Sequence, residues 1–476
     1  MTSLILRPYQ DEALKQIRKH YSVGIKKILL HMATGSGKTV IFSTVMKGIH
    51  AKGNRCVLAV RGRELVDNAS QRLLREGVPH GVMMANHWNY NPSMPIQVCS
   101  IDTLTARKNK MRLPDANLVV IDEAHFAISN SFRWFIEEYK NRGALFLSVT
   151  ATPHVKEGLR FLADIVVYPI TIGKLIEQGF LVPPRYFAPP NGIDFKKIKV
   201  DSRTGDYNVK DLAEEVGKAK LSGDIITHYM RHAHGRPAIL FACDIAHSKT
   251  IVSELLSAGI PSLHIDADSS DEERKTAMRR LENGEIKIVS NVGIFCTGVD
   301  IPCASAIILA RPTKSYNLFI QQIGRGTRPY QNKTDFIVLD HANNINEHGI
   351  IEYEKECELD GCTIVPKKVR TITCKKCYHV FEFSGTYICD LCGFDNLQKE
   401  SEGKEITVSK DVKLEEIKSK ESLKDLRIKK FIDRSIYLAF SRGYKPMWIF
   451  YQIKEKYGED FAKQKWPQIQ QRIFPS

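Results

Sequence analysis

The chain has 476 residues, 43% of them hydrophobic, and carries a formal net charge of +15. At ~100–200 residues per domain it has room for two to four cored domains, and its apolar content excludes a largely disordered chain. The positive balance suggests a polyanionic partner, nucleic acid first, while the lack of an ~18-residue apolar run excludes a membrane-spanning helix.

The opening stretch, MTSLILRPYQ, has no basic segment leading into an apolar one. No secretory signal is therefore expected, and the expected location is cytoplasmic. From residue 26 the runs KKILLHM, CVLAV, IQVCS, LVVID and ALFLSVT are continuous and rich in Val, Ile and Leu. Such runs predict buried parallel strands, and the amphipathic stretches between them, such as RELVDNASQRLLREG, predict helices. Residues 169–223, with LVPPRYFAPPNG and SRTGDYN, predict turns and a connector. A second series, AILFACD, PSLHIDA, IKIVSN, SAIILA and DFIVLD, follows with helical segments such as DEERKTAMRRLENG between its members. Strand–helix alternation repeated twice gives an α/β fold with two parallel-sheet domains, 1–168 and 169–345. A cysteine-rich region (354–396), a charged linker (397–424) and a basic helical tail (425–476) come after them.

HMATGSGKTV (31–40) follows a strand and opens a helix, the placement a phosphate-binding loop requires. Thr34, Gly35, Ser36 and Gly37 let the backbone curl so that N–H groups face the β-phosphate of ATP. Lys38 would reach the β/γ oxygens, and Thr39 would offer its hydroxyl to Mg²⁺. Met32 stands where the pattern has its first glycine. LVVIDEAH (118–125) delivers two carboxylates to the end of a buried strand. Asp122 would hold Mg²⁺, mostly through water, and Glu123 would take a proton from the attacking water.

These motifs, in this order, resemble those of superfamily 2 helicases of the DEAH-box kind. LRPYQ (6–10) resembles the adenine-reading element, with Gln10 on the base edge. VRGRELVDN (60–68) and SIDTL (100–104) resemble first-domain elements that touch the nucleic-acid backbone, and SVTATP (148–153) the motif coupling ATP to the strand. NVGIFCTGVDIP (291–302) and QQIGRGTRP (321–329) resemble the fifth and sixth motifs. The resemblance covers residues 4–345 and implies two tandem RecA-like lobes with ATP between them. It places Asp300 and Gln321 at the nucleotide, and Arg63, Thr103 and Thr297 on the nucleic-acid strand. It also brings Arg325 and Arg328 across a closing cleft to the γ-phosphate, a contribution of ~10³–10⁵-fold in related NTPases.

Of eleven cysteines, six lie between Cys357 and Cys392, a clustering that reads as metal binding rather than a disulfide scaffold. Cys374, Cys377, Cys389 and Cys392 have the spacing of a four-thiolate zinc ribbon, with an iron–sulfur cluster as the competing assignment. YHVFEFSGTYI between the pairs predicts a hairpin turning near Ser384-Gly385. Cys357, Cys362 and His379 are left outside the ligand set. The segment from 426 to 476 holds eleven Lys or Arg against four Asp or Glu. Its aromatics suit either a helical core or base stacking.

A motor followed by a ribbon is similar to the bacterial RadD family of repair-associated helicases, whose relatives also occur in phages. The resemblance implies an ATP-dependent DNA helicase or translocase in repair, recombination or replication. Single-stranded or branched DNA is the expected partner, a single-strand-binding or recombination protein a further one, and no membrane is involved. The motor motifs do not sense the sugar, so an RNA-directed ATPase stays open. The motor subunit of a restriction or defence complex, or a nucleic-acid-binding scaffold, also stays open.

Overall fold

A strand with no polar face is stable only when both sides are covered, and the apolar runs meet that condition by pairing in parallel. In the computed structural model the first sheet contains β1 (Lys27–His31), β2 (Cys56–Val60), β3 (Gly81–Met83), β4 (Ile96–Ser100), β5 (Leu118–Ile121), β6 (Leu145–Thr150) and β7 (Ile165–Val167). Their order is β3-β4-β2-β5-β6-β1-β7, every pairing parallel. The helix Asn130–Asn141 lays Phe132, Phe135, Ile136 and Tyr139 on one stripe against Val57, Val119 and Ile121 of that sheet.

The second sheet holds β8 (Pro184–Phe187), β9 (Ala238–Phe241), β10 (Ser262–Ile265), β11 (Ile288–Asn291), β12 (Ala306–Leu309) and β13 (Phe336–Asp340). They run parallel in the order β10-β11-β9-β12-β13-β8. Ile225 and Tyr229 of the helix Leu221–His232, with Ile251 and Leu255 of the helix Ile245–Ser257, cover it. These are two tandem RecA-like domains. The structure describes residues 6–154, 158–190, 193, 195–201, 204–218, 221–296, 301–353, 359–360, 369–397, 432, 435 and 446–473.

The segment 169–223 is more regular than its prolines and glycines predict. It contains the helices Ile172–Glu177 and Val209–Lys218 and the strand β8, whose Tyr186 pairs with Val338. Pro184 opens that strand, where a missing N–H is tolerated.

Beyond β13 the chain doubles back to the first lobe. Ile351 N donates to Tyr186 Oη (3.1 Å), which itself donates to Glu352 Oε2 (2.7 Å). Leu359 then enters the core of the first lobe, its carbonyl accepting from Leu159 N (2.7 Å) and Arg160 N (3.0 Å), and Asp360 pairs with the Arg160 guanidinium.

Gly326 shows how tightly the second lobe is packed behind its arginines. A Cβ there would lie 2.2 Å from Cδ2 of the fully buried Phe336. Gly326→Ala is expected to cost about 1–3 kcal/mol through overpacking, read as a lowered midpoint in urea with an unchanged slope.

The chain divides into two compact units, Met1–Val369 and Arg370–Ser476. In the second, β14 (Thr371–Thr373) pairs antiparallel with β15 (His379–Glu382). The helices Met447–Tyr457 and Glu459–Ile473 enclose Ile449, Ile453, Ala462 and Ile469, with Trp448, Phe450 and Trp466 packed against them. Those tail aromatics therefore serve a helical core. Residues 398–424 of the expected linker, and Cys357, Cys362, Thr297, Gly298 and Asp300, lie outside the described residues. Among the described residues no helix is long and apolar enough to cross a membrane.

Candidate functional site

Parallel strands send their following loops to one edge, and ligand crevices form there. After β1, Met32 N donates to Thr150 O (3.1 Å), which extends the β1–β6 ladder, and the Met32 side chain is fully buried. Its φ is not positive, so a methionine replaces the usual glycine without strain. Gly35 and Gly37 have φ of +81° and +88°, and Gly37 caps the helix Lys38–Ala51. A Cβ on Gly37 would lie 2.4 Å from Gln10 Nε2, so the bare glycine is what admits Gln10 to the loop. Gln10 Nε2 (3.0 Å) and Tyr9 Oη (2.8 Å) both donate to Ser36 O, while Gln10 Oε1 accepts from Arg7 N (3.0 Å).

Lys38 is half-buried, its Nζ 3.4 Å from Met32 O. Burial lowers its pKa, Glu123 and Asp122 pull it back up, and Arg328 and Arg325 push it down again. Asp122 is held well above the usual carboxylate range by burial and by the charge of Glu123; its Oδ1 accepts from Glu123 N (2.9 Å). Glu123 sits at φ +47° and its Oε2 is buried without a hydrogen-bond partner. A desolvated ammonium and an unsatisfied carboxylate beside curled N–H groups make a donor set that fits ATP with Mg²⁺.

The second lobe closes over this loop. Cβ atoms built on Gly324 and Gly35 would lie 3.0 Å from Thr34 Cβ and 3.3 Å from Arg328 Cγ, respectively. Arg325 is 5% exposed. Gln321 Nε2 lies 3.3 Å from His125 Nε2 and 3.4 Å from Thr152 Oγ1. With the amide donating, His125 Nε2 accepts and Nδ1 keeps the proton, facing Thr150 Oγ1 (3.2 Å), Thr152 Oγ1 (3.3 Å) and Glu123 Oε2 (3.4 Å). Burial lowers the His125 pKa and so favours this neutral form. Sequence reasoning gave His125, Thr150 and Thr152 no role of their own, although all three stand inside the motifs it quoted.

Arg63 and Thr103 come to the same edge, after the adjacent strands β2 and β4. Arg63 Nη2 donates to Ala85 O (3.3 Å), and Thr103 N donates to the capping Ser100 Oγ (3.3 Å). Asp102 ties the two loops together, accepting from Gly62 N (3.3 Å) with Arg61 Nε 3.8 Å away.

In the second unit, one ligand atom from each of Cys374, Cys377, Cys389 and Cys392 lies within 4.8 Å of the others. Two of the Sγ separations are 3.6 and 3.7 Å, close to the ~3.8 Å edge of a tetrahedron with ~2.3 Å Zn–S bonds. A multi-iron cluster, whose thiolates bind different irons, needs wider spacing. The hairpin is not the predicted one. Its strands flank the first Cys-x-x-Cys, which is the turn, and Ser384-Gly385 forms a bend between the two knuckles. Both knuckles close alike: Tyr378 N and Gly393 N each donate 2.9 Å to the carbonyl of the first cysteine, and both residues have positive φ (62° and 72°). His379 Nε2 faces Asp390 Oδ1 at 3.1 Å, apart from the thiol set. Zinc held by the four thiolates would supply about 10–16 kcal/mol, as in small metal-folded domains, so its chelation is expected to unfold residues 370–397. Limited proteolysis reads this as new cleavage within the ribbon that added zinc suppresses.

Residues 3–155 match the family described as "Type III restriction enzyme, res subunit", and residues 218–329 match "Helicase conserved C-terminal domain". A 51.5 kDa protein of a Lactococcus phage (isolate 7-9) is 29% identical over 411 residues, covering 85% of this chain and 85% of its own. The Saccharomyces cerevisiae protein described as an ATP-dependent helicase, IRC3, is 28% identical over 354 residues, 71% of this chain. The match takes in 51% of IRC3, so this chain spans about half of that relative's length. Among solved structures, the ATP-dependent Type ISP restriction-modification enzyme LlaBIII bound to DNA has a TM-score of 0.54 at 18% identity. That match covers 72% of this chain and 28% of LlaBIII, and it is a likeness of fold.

Proposed function

Because the chain belongs to the superfamily 2 helicases and is an ATP-hydrolysing motor, we propose that it translocates on DNA by closing its two lobes around ATP. Lys38 and the N–H groups of Thr34–Gly37 hold the β- and γ-phosphates, and Thr39 and Asp122 would hold Mg²⁺, which would supply charge neutralisation on the transferring group. Glu123 Oε2 takes the proton of the attacking water. Gln10 keeps a spare N–H and a spare lone pair for the adenine edge. Arg325 and Arg328 supply positive charge from the second lobe. Gln321 acts through His125, so that carboxylate, coupling motif and sixth motif move together. Arg63 and Thr103 grip backbone phosphates, which moves the chain along DNA without reading sequence.

The observation that carries this reading is the seating of the second lobe on the loop, Arg328 against Gly35 and Gly324 against Thr34. DNA as the track is supported by the net charge of +15 and by the match to a restriction-enzyme family. The test is ATP turnover with single-stranded, duplex and branched DNA against matching RNA. Stimulation by DNA is expected, and stimulation by RNA alone makes the protein an RNA-directed ATPase instead. A repair, recombination or replication setting is what the RadD resemblance adds.

A second reading, the motor of a restriction or defence assembly, is favoured by the match of residues 3–155 to the Res-subunit family. Displacement of a triplex-forming strand separates the two. Displacement by the purified chain alone supports a free-standing translocase; displacement only with a partner subunit supports the assembly.

A further inference from the structure

The segment between β3 and β4 takes no part in the chemistry above, yet it is heavily braced. Val82 N donates to Asn89 O (2.9 Å), and Asn89 Nδ2 to His80 O (3.1 Å). Gln97 Nε2 donates to Asn91 O (2.8 Å) and Met94 O (2.9 Å). His87, 6% exposed, is the peg: Nδ1 accepts from Asn89 N (3.0 Å), which leaves Nε2 to donate to Asp67 Oδ1 (3.0 Å) on the helix Arg63–Arg75. With His87 pinned inward, its neighbour is held outward. Trp88 is 74% exposed and Tyr90 52%. A loop fixed by this many bonds holds a large apolar ring in water, where it is unfavourable unless something covers it.

Beside the indole a cleft of about 260 Å³ opens between the loop and the first turns of the helix Arg63–Arg75. Arg63, Gln71 and Asn86 line it with Trp88, above Ser70 and the Asp67 carboxylate that His87 engages. The wall thus combines a flat π-face, two amides able to meet a base edge, and a guanidinium. Arg63 is also the residue that motif position assigns to a backbone phosphate, so the cleft continues the expected track.

We propose that Trp88 and this cleft hold one unpaired nucleobase, stacked on the indole, from a single strand whose phosphate lies on Arg63. The assignment rests on the DNA-motor reading and adds to it a preference for single strands, because a paired base has both faces stacked and cannot enter.

The test is equilibrium binding of the full chain, wild type against Trp88→Ala and Trp88→Phe, to labelled oligo-dT, to a blunt duplex, and to an oligonucleotide with its bases removed at every position. Unchanged melting temperatures certify the fold of both variants. Trp88→Ala is expected to weaken oligo-dT binding by roughly 5- to 100-fold, the range of one base–aromatic stack. Trp88→Phe should recover most of that loss, and binding to the duplex or the abasic strand should be unmoved. Equal losses on all three probes, or no loss on oligo-dT, overturn the proposal. The motor reading is judged apart from this, by whether DNA stimulates wild-type ATP turnover at all.

Discussion

Arg325→Ala is expected to cut DNA-stimulated kcat by about 10³–10⁵-fold while changing nucleotide affinity far less. The reason is the timing of the charge. ATP in its ground state already has Lys38 and the loop N–H groups, whereas the extra negative charge on the transferring group exists only during the reaction. A guanidinium from the opposite lobe therefore acts on kcat and leaves binding largely alone. Arg325 is 5% exposed and stands three residues before Arg328, whose Cγ would lie 3.3 Å from a Cβ on Gly35 of the loop. Arg325→Lys should restore little, since an ammonium lacks the planar fork. Steady-state ATP turnover with saturating DNA, alongside nucleotide binding by fluorescence, measures both quantities; a kcat within tenfold of wild type would remove Arg325 from the reaction.

Glu123→Gln is expected to lower kcat by about 10²–10⁴-fold and to leave a chain that still binds ATP and DNA. The substitution keeps the shape of the side chain and removes the charge whose Oε2 is buried without a hydrogen-bond partner. The carboxylate faces the His125 Nδ1 proton at 3.4 Å, so the substitution removes its charge from that contact as well. Loss of turnover with ATP and DNA binding retained would mark a residue kept for chemistry. Turnover at the wild-type rate would move the proton-accepting role elsewhere.

Ten strands were legible because a parallel sheet buries both faces of its members, and a segment such as CVLAV has no other way to hide its side chains. The strands β3, β7 and β8 were not. GVM and IVV are three residues long, and PRYF carries a proline and an arginine; each is a strand only because a neighbour supplies its pairing. The glycine loop opening the helix Lys38–Ala51 was readable from local spacing, since loop and helix follow one another in the chain. The His125–Gln321 contact spans 196 positions, and no periodicity signals it. In the ribbon the spacing of the thiols was readable, but the hairpin was displaced, because the knuckles themselves supply the reversal of direction. The posture of Trp88 was invisible for a related reason: it depends on where His87 finds Asp67, twenty residues earlier.

The segment that returns from the second lobe to the first sets a limit on travel. Glu352 is moored to Tyr186 and Leu359 to the backbone of Leu159 and Arg160. The seven peptide steps between those moorings extend to roughly 25 Å at ~3.3–3.6 Å each. Any separation of the two moorings beyond that length requires Leu359 to leave its apolar socket. The distance the two lobes can part is thus bounded by covalent length, and a few residues spliced in between 352 and 359 would lengthen it without altering either lobe.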